Sequence, residues 1–277
     1  MAIKAGIISG FILFAVLYGT APAAGLLDGE LMFHPMNQGG GGHQHGQSSG
    51  RPGGKAYMLM NGKNSIMRMW KPDGEPVTIK ISGDYFDLPK TGVDNYHAVV
   101  VDRKLEGVQD SYVRYIYRRG KPAGHSPAEL LAISKSTLEV VPDPLPREHQ
   151  RYQSGETWPF MVRFKGEPLA NVEVALKTAH GNGSDAVSDK EGRVRLHIPD
   201  DFFDVVEWER DKRRADFAVT VEHQDGAMRY RSHLGAQYEL NPMHWRSTTL
   251  GVLVIGIGML AGAFLGRVRG RDSREAG

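Results

Sequence analysis

The sequence predicts an all-β protein, with two Ig-like β-sandwich domains in tandem and one C-terminal transmembrane helix. Three observations carry this. Large apolar residues alternate in short runs, most clearly Trp158, Phe160, Val162 and Phe164, then Val172, Val174 and Leu176, then Val194, Leu196 and Ile198. A period of two buries one face of a strand. Turn residues separate the runs: Lys165, Gly166, Glu167 and Pro168 after the first, and Ser188 to Gly192 before the third. Finally, residues 248–266 form an apolar run free of charge, which at ~1.5 Å per residue just crosses a bilayer core of about 30 Å.

Taken in order, residues 1–24 read as an export signal. Lys4 is the positive start, 5–18 is apolar, and Thr20 to Ala24 supplies small residues for cleavage. An uncleaved amino-terminal anchor is the alternative. Residues 25–54 read as a flexible tether, rich in glycine and poor in apolar side chains. It carries His34, Met36, His43 and His45, and short histidine-rich tracts can bind metal through neutral imidazole.

Residues 55–142 form the first predicted β-domain. The run 57–60, the pair Asn61 and Gly62, and the run 66–70 read as a hairpin. Pairing with an even loop places Met58, Met60, Met67 and Met69 on one sheet face. Four thioethers there could hold a soft ion such as Cu(I), or could simply be core packing. Val77, Ile79 and Ile81, then 96–101 and 112–117, continue as strands, with 84–95 as a turn-rich loop. Ser126 to Glu129 has the pattern of a capping box before a short helix.

A proline-rich joint, 142–146, leads into the second predicted domain, 143–240. It closes with a hairpin through Asp225 and Gly226 that would set His223 opposite Met228 and Val221 opposite Tyr230. In the predicted span, Gly258, Gly262 and Gly266 recur at a spacing that lets helices pack closely, which points to a membrane partner. Arg267, Arg269, Arg271 and Arg274 in the tail 267–277 place the C-terminus in the cytoplasm and the body outside.

Leu138 to Pro142, Gly155, Gly166 to Leu169, Val172 to Val174, Ser188 to Gly192 and Val194 to Pro199 together resemble a bacterial periplasmic domain family found beside nickel and cobalt uptake transporters. The second half also resembles carboxypeptidase-regulatory-like sandwiches. The resemblance implies a sandwich fold, a periplasmic setting and a neighbouring transporter; it carries over no set of metal ligands.

The 277 residues suggest about two domains. A net charge of +2 without a basic, aromatic-interleaved stripe excludes nucleic acid as the expected partner. The absence of cysteine excludes disulfides, thiolate metal sites and a cysteine nucleophile. No nucleophile elbow, phosphate-binding loop or His-Glu-x-x-His occurs, so no enzyme is expected. The expected function is a membrane-anchored periplasmic accessory that binds or delivers nickel, cobalt or copper beside a transporter. The alternative is a non-catalytic subunit that holds a membrane complex together through its sandwich surfaces.

Overall fold

The computed structural model describes residues 31–35, 56–147, 150–206, 209–244, 252–253 and 255–261. The first half contributes β1 (Met32–Pro35), β2 (Ala56–Met60), β3 (Ser65–Trp70), β4 (Pro76–Ile79), β5 (Tyr85–Asp87), β6 (Val93–Leu105), β7 (Val108–Arg118) and β8 (Lys121–Pro122). After α1 (Pro127–Ala132) come β9 (Leu138–Pro142), β10 (Tyr152–Gln153), β11 (Thr157–Phe164), β12 (Glu167–Pro168) and β13 (Glu173–Thr178). The chain continues with β14 (Gly183–Val187), β15 (Arg193–His197), β16 (Arg214–Asp225) and β17 (Met228–Glu239).

One sheet runs through both halves in the order β14-β13-β16-β17-β7-β6-β3-β4. Its joint is β17 lying parallel to β7, from Arg229 opposite Val108 to Gly235 opposite Arg114. The two expected tandem domains are therefore fused edge to edge through a shared sheet. The pairing covers an edge that each half would otherwise expose.

A second sheet, in which β11 pairs with β9, β12 and β15, covers one face of the shared sheet. Val140, Phe160, Val162 and Leu196 meet Leu176, Phe217, Val219 and Leu234 in that core. A third, small sheet in the order β1-β2-β5 covers the opposite face. There Phe33, Leu59 and Phe86 meet Met67, Met69, Val99, Val101 and Tyr112. Strand β6 lies under both covers, so the whole run from His97 to Val101 is buried. Such a strand loses its alternation and reads as continuously apolar.

The Asn61 and Gly62 pair does not make a hairpin. β2 pairs with β1 and β5, whereas β3 pairs with β4 and β6. The turn is an arch between two sheets. Asn61 takes the left-handed conformation (φ 56°), and Gly62 passes so close to the Leu59 side chain that a Cβ would not fit. The arch lets the inward residues of both strands, Tyr57 and Leu59 against Met67 and Met69, meet across one core.

Three further expectations are corrected. Within the expected tether, Leu31 and Phe33 are fully buried and 32–35 forms a strand, because two large apolar side chains gain about 1.5–3 kcal/mol each on burial. β5 lies in the expected loop 84–95. The β16–β17 turn is Gly226 and Ala227, with Gly226 left-handed (φ 60°) and Asp225 opposite Met228. That shift sets His223 opposite Tyr230, not Met228. The expected helix start is present: Ser126 N–H donates to Glu129 Oε1 at 2.9 Å.

Residues 252–253 and 255–261 are helical. Among the described residues, no helix is long and apolar enough to cross a membrane. The rest of 248–266 lies outside the described residues, as do the expected signal 1–24 and tail 267–277.

Candidate metal site

Besides His34, the sequence-selected ligands fall into three groups. Met36, His43 and His45 lie outside the described residues. Met67 and Met69 are core side chains, 1% and 0% exposed, so a metal could reach them only by opening the sheets. Met58 and Met60 point outward, 38% and 37% exposed. The four methionines are thus split between two sheets. The arch, rather than a hairpin, is the cause.

The small sheet brings together what remains. β1 runs antiparallel to β2 with His34 opposite Met58 and Met32 opposite Met60. Directly opposed residues project from the same face, with Cβ atoms about 4.5–5.5 Å apart. One imidazole and two solvent-facing thioethers therefore share a strand pair. Each thioether has three rotatable side-chain bonds with which to adapt to an ion.

Asp216 holds the ring of His34. Nδ1 of His34 lies 3.4 Å from Asp216 Oδ2, while Arg114 donates to Asp216 Oδ1 at 2.9 Å. Burial pushes the Asp216 carboxyl up, but the His34 ring and the Arg114 guanidinium outweigh it and bring it below the ordinary carboxylate range. A carboxylate on one ring nitrogen orients the other outward, the arrangement found behind metal-ligating histidines. With Nδ1 engaged by Asp216, Nε2 is the His34 nitrogen that could take an ion. Among the described residues, no three His, Asp or Glu side chains converge as a metal site. The available donor set is one nitrogen and two sulfurs, which suits a soft ion.

Other polar groups are structural. His97, fully buried, contacts Thr91 Oγ1 through Nε2 at 2.9 Å and Asn95 O through Nδ1 at 3.1 Å. Burial holds its pKa below the usual value. Arg103 donates to Asp110 at 2.6 Å and to the Asn61 carbonyl at 2.6 Å, tying the arch to β7. His233 Nε2 is 3.2 Å from the other Asp110 oxygen. His223 packs against the Phe164 ring at 4.6 Å.

The sequence reading passed over a cleft of about 700 Å³ at the fork where β7 and β17 part. Beyond Gly235 and Arg114 the two strands separate, and β10 takes the edge of β17 at Tyr238 and Glu239. Lys90, Arg114, Arg118, Arg119, Arg151 and Arg214 line the fork. They come from separate segments, so no local charge run announces them.

No known protein family and no curated protein matches the chain. Among solved structures it is similar to a Ca2+-stabilized adhesin that helps an Antarctic bacterium reach out and bind ice, at 12% identity and a TM-score of 0.25. The match covers 68% of this chain and 44% of the adhesin chain, so the chain spans less than half the length of that protein.

Proposed function

We propose that the protein is a non-catalytic metal-handling accessory, held at the outer face of the inner membrane, which takes up a soft ion, Cu(I), on the outer face of its small sheet. The observation that carries this is the β1–β2 register. It sets His34 opposite Met58 with Met60 two residues further on, and both thioethers are exposed. Met36, His43 and His45 follow His34 in the sequence and can feed ions to it. Nickel or cobalt, implied by the family resemblance, would draw on imidazoles instead, of which His34 is the one at this described face. The membrane setting rests on the sequence pattern of 1–24 and 248–266, and the Gly258, Gly262 and Gly266 face is the proposed contact with a transporter.

The burial of Met67 and Met69 favours a second reading, a structural subunit acting through its sheet surfaces. Anaerobic Cu(I) competition against a chromophoric chelator, with parallel Ni(II) and Co(II) titrations, separates the two. Sub-micromolar Cu(I) binding that weakens at least about tenfold in Met58→Leu/Met60→Leu, a loss of about 1.4 kcal/mol, supports the metal reading. Cu(I) affinity unchanged by that double substitution rejects it.

A further inference from the structure

We infer that the fork between β7 and β17 is a binding site for a small organic polyanion, one carrying two or more carboxylate or phosphate groups. The site adjoins the thioether face through Asp216, which contacts both His34 and Arg114, but its cationic lining is distinct from the thioethers, and the inference goes beyond the metal reading. The fork is the right size, since small-molecule sites span about 300–1,000 Å³ and this one is about 700 Å³. Its charge is one-sided. Six cationic side chains line it and, among the described residues, its lining holds no Asp or Glu.

The carboxylates paired to these cations are not among the lining residues and are shared. Asp216 serves both Arg114 and His34, and Glu239 lies 3.4 Å from Arg151 and 3.8 Å from Arg214. Arg118 is fixed by donating to the Pro89 carbonyl at 2.7 Å. Arg114, 7% exposed, forms a rigid floor. Arg119 and Lys90 at the rim are exposed. Rigid guanidinium forks at the base with exposed cations at the rim suit carboxylate or phosphate groups, which arginine binds in a bidentate manner.

The walls supply an apolar counterpart. Tyr96 and Tyr117 meet edge to face at 5.2 Å, and Tyr96 donates to the Pro146 carbonyl at 2.9 Å, which pins one side of the fork. Gly120 fixes the rim. It passes so close to the Gly92 carbonyl that no side chain would fit, and Lys121 N–H donates to that carbonyl at 2.8 Å. The turn that carries Arg119 is therefore built in place.

The test is calorimetric titration of the metal-free full chain, in mild detergent, with citrate and with pyrophosphate, using acetate as the singly charged comparator. Binding of either polyanion, at least about tenfold tighter than acetate and weakened by salt, is expected. Arg119→Gln/Lys90→Gln should weaken it about tenfold or more while leaving the thermal melt unchanged, because both side chains are exposed. Citrate alone would identify carboxylates as the ligand groups, and pyrophosphate alone phosphates. No binding of either at millimolar concentration, or binding that the double substitution leaves unchanged, overturns the inference.

Discussion

The two inward methionines and the two outward ones should behave as different residues, although the sequence offers them as one set. Met69 is fully buried between the central and small sheets. Met69→Ala removes Cγ, Sδ and Cε, which at ~0.8 kcal/mol per group is about 2.4 kcal/mol of transfer free energy. The cavity left in a core that relaxes incompletely raises the expected loss to about 3–4 kcal/mol. Met58→Ala, at a solvent-facing position, should stay within about 0.5 kcal/mol. Urea denaturation followed by tryptophan fluorescence measures both, with Trp70 buried on the same strand as Met69 as a reporter. Equal losses at Met58 and Met69, or a neutral Met69→Ala, would refute the arch and the placement of the two sheets.

Three further outcomes follow from buried polar groups and close approaches. Lys135 is brought down to about 8 by burial, against the favourable influence of Glu139; its ammonium is disfavoured in the fold, so the unfolded chain holds more protons above that pH. Stability should therefore rise from about pH 8 to 10.5 by this contribution, and Lys135→Met should remove that rise in melts recorded across the window. Tyr238, fully buried, donates to Asp201 at 2.5 Å, and Thr178 donates to the same carboxylate at 2.6 Å. Tyr238→Phe should cost about 1–3 kcal/mol in chemical denaturation, because the Asp201 carboxylate loses a buried donor. At Gly235 a Cβ would overlap the Tyr112 hydroxyl, so Gly235→Val should destabilise by more than about 2 kcal/mol through overpacking, while Ala236→Val beside it should be far milder.

Local signals in the sequence were sufficient for most strands. The alternation of Trp158 to Phe164 and of Val174 and Leu176 needs only one buried face, and both runs are strands packed into the first core. What stayed hidden is non-local. The parallel pairing of β17 with β7 joins residues more than a hundred positions apart, and no residue type marks it. An arch and a hairpin use the same left-handed turn chemistry at Asn61 and Gly62, and only the pairing partners of β2 and β3 distinguish them. β1 was missed because Leu31 and Phe33 stand in a glycine-rich stretch too short to show a period.

The candidate sites divide the same way. His34, Met58 and Met60 were selected from composition, but their shared face exists through the β1–β2 register, which a sequence reading of the loop between them cannot set. Asp216, the residue that orients His34, arrives from β16, with no motif to connect it. The arginines of the fork were passed over for the same reason. Each is an ordinary surface cation until the parting of two parallel strands brings them together.

The central claim is that the outer face of the small sheet binds Cu(I) through Met58, Met60 and His34. Copper-edge X-ray absorption on the Cu(I)-loaded full chain tests it most directly. The account predicts a first shell containing sulfur together with nitrogen, and loss of the sulfur in Met58→Leu/Met60→Leu while Met67 and Met69 are retained. A shell of nitrogen or oxygen only, or a sulfur shell that survives the double substitution, would contradict it.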